Sequence, residues 1–293
     1  MAGGAVEQAI CTATPKTSSR IVRRRDGCFM RISVQHQTVR DKGPPGCDPR
    51  CQPAYSFSVT TGKQIHMVMR DMLFITWAVE PDVVRKLIDE RLELDTKTGT
   101  DGREVAFVSA VCFRVSDLRS GVLPLPNLSF EQVNYRAYVR AEQVPAVCFL
   151  QIKVNSRMVT ALTSFLSVPI QYEDIEITSS AREQSGLGYK VRSGGLQAEA
   201  VISPLDRTEL PDGAISPGFI TDRFVGYASA GNAMYRINVE QPGLDSVFAL
   251  IENVRSPSLE RLGLLTEDQS ARPHSALYVR EGLFGADIPV REW

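Results

Sequence analysis

The chain has 293 residues, 43% hydrophobic and 23% charged, with a formal charge of −1. Residues 1–65 hold ten Lys/Arg against four Asp/Glu, so residues 66–293 carry −7, and such an acidic body lacks the basic face that nucleic-acid binding needs. No stretch reaches the ~18 consecutive apolar residues of a membrane span, and the N-terminus has no apolar signal core, which predicts a cytoplasmic protein with no membrane or nucleic-acid partner.

Residues 1–65 carry Arg23-Arg24-Arg25, Pro44-Pro45, scattered Ser and Thr and few large apolar side chains, without helical or strand periodicity. Such a segment buries too little apolar surface to offset the entropy of ordering it. Residues 1–66 are therefore predicted to be a basic, disordered or spurious leader ahead of a single domain at 67–293. Glu7, Asp26 and the missing amphipathic pattern argue against an organelle-targeting peptide, and Met67, Met69 and Met72 supply late starts. Cys47 and Cys51 form a lone Cys-x3-Cys pair with only Cys28 and His36 nearby. That falls short of four well-spaced zinc ligands, so no metal is expected. Cys112 and Cys148 lie in apolar runs, where a reduced thiol behaves as a small buried hydrophobe.

The body reads as strands interrupted by three short helices. Residues 71–79 are a short apolar run, after which Pro81 opens a helix to about Leu92, with Val83, Val84, Leu87, Ile88 and Leu92 at helical spacing. Residues 104–115 are β-branched and aromatic and predict a largely buried strand; 117–129 read as a proline-punctuated loop. Strands follow at 132–140 and 146–154. Ser156 caps a helix over 157–166 that Pro169 stops. More strands are predicted at 171–178, 188–192, 196–203, 219–229 and 233–240, the last two joined by the hairpin signal Ala230-Gly231-Asn232. Ser256-Pro257 opens a third helix to about Leu264, and 278–279 and 288–291 close the chain as strands. With no βαβ rhythm, the pattern predicts an α+β fold, predominantly antiparallel β, curled into a barrel with a few short outer helices, because closure removes exposed edges. Small barrels of this kind often hold one ligand inside.

Catalytic signatures are missing. There is no Gly-x-Ser-x-Gly elbow, phosphate loop or His-Glu-x-x-His, and Gly186-Leu187-Gly188 lacks the third glycine of a dinucleotide fingerprint. The histidines are His36, His66 and His274, and His274, between Pro273 and a strand, reads as surface or structural. One strand is informative. Alternation over 132–140 places Val133, Tyr135, Ala137 and Val139 on one face and Gln132, Asn134, Arg136 and Tyr138 on the other. The polar face is either solvated or a polar barrel interior, where Arg136 could hold a carboxylate bidentately. On the next strand the same alternation groups Phe149, Gln151 and Lys153. Lys153 is thus a weak catalytic candidate: sharing that interior with Arg136, it would lose proton affinity and gain nucleophilicity.

The segments LFITWAV at 73–79, QVNYRAYVR at 132–140, strand, Ser156-Arg157, helix and proline at 147–169, and Phe219-Ile220-Thr221-Asp222-Arg223 resemble YqjF-like proteins. These are bacterial proteins of unknown function in the acetoacetate decarboxylase-like superfamily. The resemblance spans about 67–293 and implies a barrel- or cone-like sheet with outer helices and an internal pocket, favouring a polar interior for Gln132, Asn134, Arg136 and Tyr138. It also marks departures. Where the decarboxylases carry a Schiff-base lysine in Gly-x-Pro-Lys-Lys, this chain has Ser167-Val168-Pro169-Ile170-Gln171, and their acidic catalytic residue falls on Gln132. Neither Ile170 nor Gln171 can condense with a ketone, so the resemblance does not extend to acetoacetate decarboxylation. Gln171, at the lysine position, joins Gln132, Asn134, Arg136 and Tyr138 as a ligand-binding candidate. Lys153 departs from the acidic residue usual at its position in YqjF-like chains.

Two functions from different classes follow. One is a cofactor-free binding protein whose barrel holds a small organic acid or carbonyl compound through Arg136. The other is a lyase, isomerase or cyclase acting on a keto or β-dicarbonyl compound. The absence of a matched acid–base pair favours the first. A solvated polar face serving homo-oligomer contacts is the third assignment.

Overall fold

Strand formation here follows from long β-branched and aromatic runs that bury both faces. The computed structural model describes residues 64–99, 102–120, 128–164, 168–182, 186–203 and 215–293, with the backbone of Lys16–Arg23 and Phe29–His36. The chain divides into units at Met1–Ser58 and Val59–Trp293. In the first, Lys16–Arg23 (β1) and Phe29–His36 (β2) pair antiparallel. Cys28, Cys47, Cys51 and most of the predicted leader lie outside the described residues.

In the second unit the elements run β3 (Gln64–Val79), α1 (Pro81–Arg85), β4 (Glu93–Leu94), β5 (Lys97–Thr98), β6 (Glu104–Ser120), β7 (Phe130–Ala141) and β8 (Val144–Val154). Then come α2 (Arg157–Ser164), β9 (Ile170–Tyr172), β10 (Ile175–Arg182), β11 (Gly186–Ser193), β12 (Gln197–Ile202), α3 (Pro217–Thr221), β13 (Val225–Ala230) and β14 (Ala233–Glu240). The chain ends with β15 (Ser246–Arg255), α4 (Pro257–Arg261), α5 (Glu267–Ser270), β16 (Ser275–Asp287) and β17 (Val290–Arg291). Strand β3 thus begins at Gln64, just ahead of the predicted domain boundary.

Neighbouring strands run β16-β3-β6-β7-β8-β13-β14, and β14 pairs back onto β16 through Val239↔Ala286 and Glu240↔Gly285, so the sheet closes on itself. All these pairings are antiparallel except β8 with β13. The predicted curled, mainly antiparallel sheet is the fold. Strands β10, β11, β12 and β15 extend it from β16 as a second layer. Two cores result. Leu73, Ile75, Trp77, Cys112, Val133 and Tyr135 face outward onto Ile175, Tyr189, Val191 and Leu196 of the second layer. Met72, Phe74, Phe107, Val111, Phe113, Tyr138 and Val147 face inward, with Ile220 of α3 packed among them.

Several boundaries differ from expectation. The predicted helix from Pro81 to Leu92 stops after one turn at Arg85, and Leu92 is buried beside β4. The third predicted helix ends at Arg261 as α4, short of Leu264, and beyond it stands an unpredicted turn of helix, α5, with its own capping box from Thr266 and Gln269. The predicted strand over 219–229 is in fact α3 followed by β13. Ser216 accepts a hydrogen bond from the Phe219 amide and Pro217 opens the helix, and the cap overrides the β propensity of Phe219, Ile220 and Thr221.

Candidate functional site: a guanidinium inside the barrel

The inward face of β7 carries Asn134, Arg136 and Tyr138, each opposite an inward residue of a neighbouring strand. Arg136 pairs with Ser109 on β6 and with Phe149 on β8. The guanidinium is fixed from behind: Nη2 donates to the Ile220 carbonyl at 2.7 Å and to the Tyr138 hydroxyl at 3.2 Å. Tyr138 is held in turn by Ser109 Oγ at 2.7 Å, and Ser109 by Thr76 Oγ1 at 2.7 Å. This hydroxyl row crosses β7, β6 and β3, and its side chains are fully or almost fully buried, which sets the Arg136 orientation through a satisfied network. The Arg136 Nε is buried and has no hydrogen-bond acceptor among the described residues. The guanidinium also sits 5.3 Å from the ring centroids of both Phe74 and Tyr138.

In front of Arg136 lies a cavity of about 90 Å³. Its wall is mostly apolar (Met72, Phe74, Val111, Phe113, Val147, Phe149), and its polar groups are Asn134, Arg136, Thr221, Arg223 and Gln241. Arg223 brings a second guanidinium, but a compensated one. Its Nη1 donates to Asp95 Oδ2 at 2.8 Å and its Nε to the Phe219 carbonyl at 2.8 Å. Burial pulls the Arg223 guanidinium below its ordinary pKa while Asp95 opposes that shift. No carboxylate among the described residues pairs with Arg136, so the site carries one uncompensated positive charge. Asn134 is oriented by Gln132, whose Nε2 donates to Asn134 Oδ1 at 2.7 Å. The lining holds no Asp, Glu, His, Lys or Cys among the described residues.

The model of DUF2071, a family described as an uncharacterized conserved protein, matches residues 66–281. The chain belongs to this family. It is 24% identical over 168 residues, 56% of the chain and 67% of the relative, to the uncharacterized protein YqjF of Bacillus subtilis (strain 168). Among solved structures it is similar to the enduracididine biosynthesis enzyme MppR complexed with pyruvate, at TM-score 0.50 and 11% identity, covering 85% of this chain and 98% of that one. It is similar in the same degree to acetoacetate decarboxylase from Legionella pneumophila, at TM-score 0.50 and 10% identity, covering 83% and 94%. The fold of this DUF2071 chain is therefore that of the acetoacetate decarboxylase-like proteins.

The DUF2071 barrel separates the residues that the sequence grouped together. Asn134 and Arg136 line the cavity. Gln132 and Tyr138 stand one hydrogen bond behind them, as supports. Lys153 and Gln171 are elsewhere, which corrects the expectation that they share Arg136's interior. Between β7 and β8 the pairing shifts, Tyr135 with Gln151 but Arg136 with Phe149, leaving Leu150 as an extra residue. A bulge of one residue inverts the faces beyond it. Phe149 therefore points inward, while Gln151 and Lys153 pair with outward-facing Tyr135 and Val133. Lys153 instead meets Gln171 Oε1 and lies 3.9 Å from Glu173 Oε2 on the outside of the barrel. Sequence reasoning missed Arg223, Asp95, Thr221 and Gln241. Only the segment Phe219–Arg223 had drawn notice, and without the helix that turns Arg223 onto Asp95.

Proposed function

We propose that the barrel of this DUF2071 chain binds a small organic acid, with the carboxylate received by Arg136 and its apolar remainder held against Phe74, Val111 and Phe149. The observation that carries this reading is Arg136 itself. It is a charged fork with a buried, unpartnered N–H, no carboxylate partner among the described residues, and an apolar cavity in front of it. A carboxylate in the cavity that Arg136 lines would meet its guanidinium in a charge-assisted hydrogen bond. A volume of about 90 Å³ suits a ligand of a few heavy atoms, since about 150 Å³ takes a benzene. Pyruvate, bound by the structural neighbour MppR, belongs to the same chemical class.

Binding is favoured over turnover because the described lining offers anchoring without a proton-transferring pair or an amine. The described lining offers Schiff-base decarboxylation no lysine, and Lys153 pairs with outward-facing Val133. The test is saturation-transfer NMR on the full chain with acetate, pyruvate and acetoacetate. Transfer to the carboxylates without new product resonances is expected, together with a loss of affinity of about thirtyfold or more in Arg136→Gln. Product resonances would replace the binding reading with an enzymatic one. Unchanged transfer in Arg136→Gln would remove the anchor.

A further inference from the structure

Phe149 pairs with Arg136 across β7 and β8 and lines the cavity in front of it. The position behind that ring is Gly226 on β13. A Cβ at Gly226 would lie 2.5 Å from Phe149 Cε2, 3.3 Å from Cζ and 3.4 Å from Cδ2. Gly226 is not among the glycines with positive φ, so its backbone conformation does not call for glycine. The ring does. The phenyl edge at Cε2 takes the place where a side chain on the strand would otherwise stand, and both residues line the cavity.

We infer that Phe149, seated on Gly226, is the specificity-determining residue that sets the length of the acid the barrel accepts. The inference rests on Arg136 as the carboxylate anchor. With the carboxylate fixed there, an alkyl chain growing away from it meets the phenyl ring. The ring has no room to retreat, because the β13 backbone is already in van der Waals contact behind it. Each buried methylene tightens binding about fourfold while space lasts. The first methylene that has to displace the ring instead loses about tenfold, the scale of an overpacking strain.

The experiment titrates the full chain with straight-chain carboxylates from acetate to hexanoate, following ligand line broadening and chemical-shift change. The wild-type protein is expected to show an affinity maximum among the short acids. Phe149→Ala moves that maximum to longer chains, gaining about fourfold per added methylene; Phe149→Leu, a gentler change in case the alanine variant does not fold, moves it in the same direction. Gly226→Ala pushes the ring into the cavity and moves the maximum toward acetate. Short-acid binding that depends on Arg136, with a chain-length profile unchanged in both Phe149 variants, would overturn the length limit and leave the anchor standing. Failure of the wild-type protein to bind any acid in the series would overturn both.

Discussion

Asp95 is the counter-ion that lets a second guanidinium sit inside the barrel, and Asp95→Asn tests this charge arrangement. The Asp95 and Arg223 side chains are 4% and 3% exposed, and their closest approach is 2.8 Å. Asp95 is positioned by its own amide, which donates to the Tyr138 carbonyl at 3.1 Å, so asparagine would keep the same place and nearly the same shape. What changes is charge: Arg223 would be left buried and uncompensated, with an amide where a carboxylate stood. Removing one partner of a buried pair costs about 3–5 kcal/mol. The outer contacts of Asp95 add little. Arg140 at 3.1 Å and Lys97 at 3.9 Å have side chains 39% and 35% exposed, and such pairs are worth about 1 kcal/mol at most. Set against a typical domain stability of about 5–15 kcal/mol, the loss is visible in urea unfolding at neutral pH, as a lower midpoint with an unchanged slope. Arg223→Met in the Asp95→Asn background removes the stranded charge and should recover most of the loss. A single-variant loss below about 1 kcal/mol, or a double variant no more stable than Asp95→Asn, would refute the reasoning.

Two further outcomes follow from the packing outside the barrel. Gly195→Ala should destabilise by about 1–3 kcal/mol in the same urea assay. Its Cβ would lie 2.4 Å from Ser258 Oγ and 2.5 Å from the Tyr135 hydroxyl, and the backbone cannot step aside while its amide donates to Glu173 Oε1 at 2.9 Å. Cys112 and Cys148 should resist alkylation in the folded protein at pH 8. Burial pushes both thiols up to about 12, leaving a reactive thiolate fraction on the order of one in ten thousand, and site-resolved mass spectrometry with and without urea reads the difference. Rapid labelling of either residue without urea would contradict the burial.

How much of this was legible in the sequence depends on whether each strand kept its phase. The alternation of β7 runs without interruption from Gln132 to Tyr138, so reading every second residue found the face that holds Asn134 and Arg136. The alternation of β8 does not persist, because Leu150 is extra, and a reading that carries one phase through the strand puts Lys153 beside Phe149. The physical hint was present in the composition of the alternative. If the phase shifts once, the inward set becomes Val147, Phe149, Ile152 and Val154, all apolar, and Gln151 and Lys153 leave together. An unpaired lysine inside a barrel costs several kcal/mol, whereas one unpaired backbone residue in a bulge costs far less. The shifted register was therefore the cheaper structure, and the bulge is what gives the cavity its phenyl wall instead of an amine. Arg223 was hidden for a different reason. Its partner Asp95 is distant in sequence, and the intervening strands must close before the pair can form, so no local pattern at Phe219–Arg223 could name it. The two arginines differ in role for this same reason. The charge of Arg223 is consumed by a contact that the closed barrel supplies. That of Arg136 meets no carboxylate among the described residues, which is the ground for proposing an anion from outside the chain as its partner.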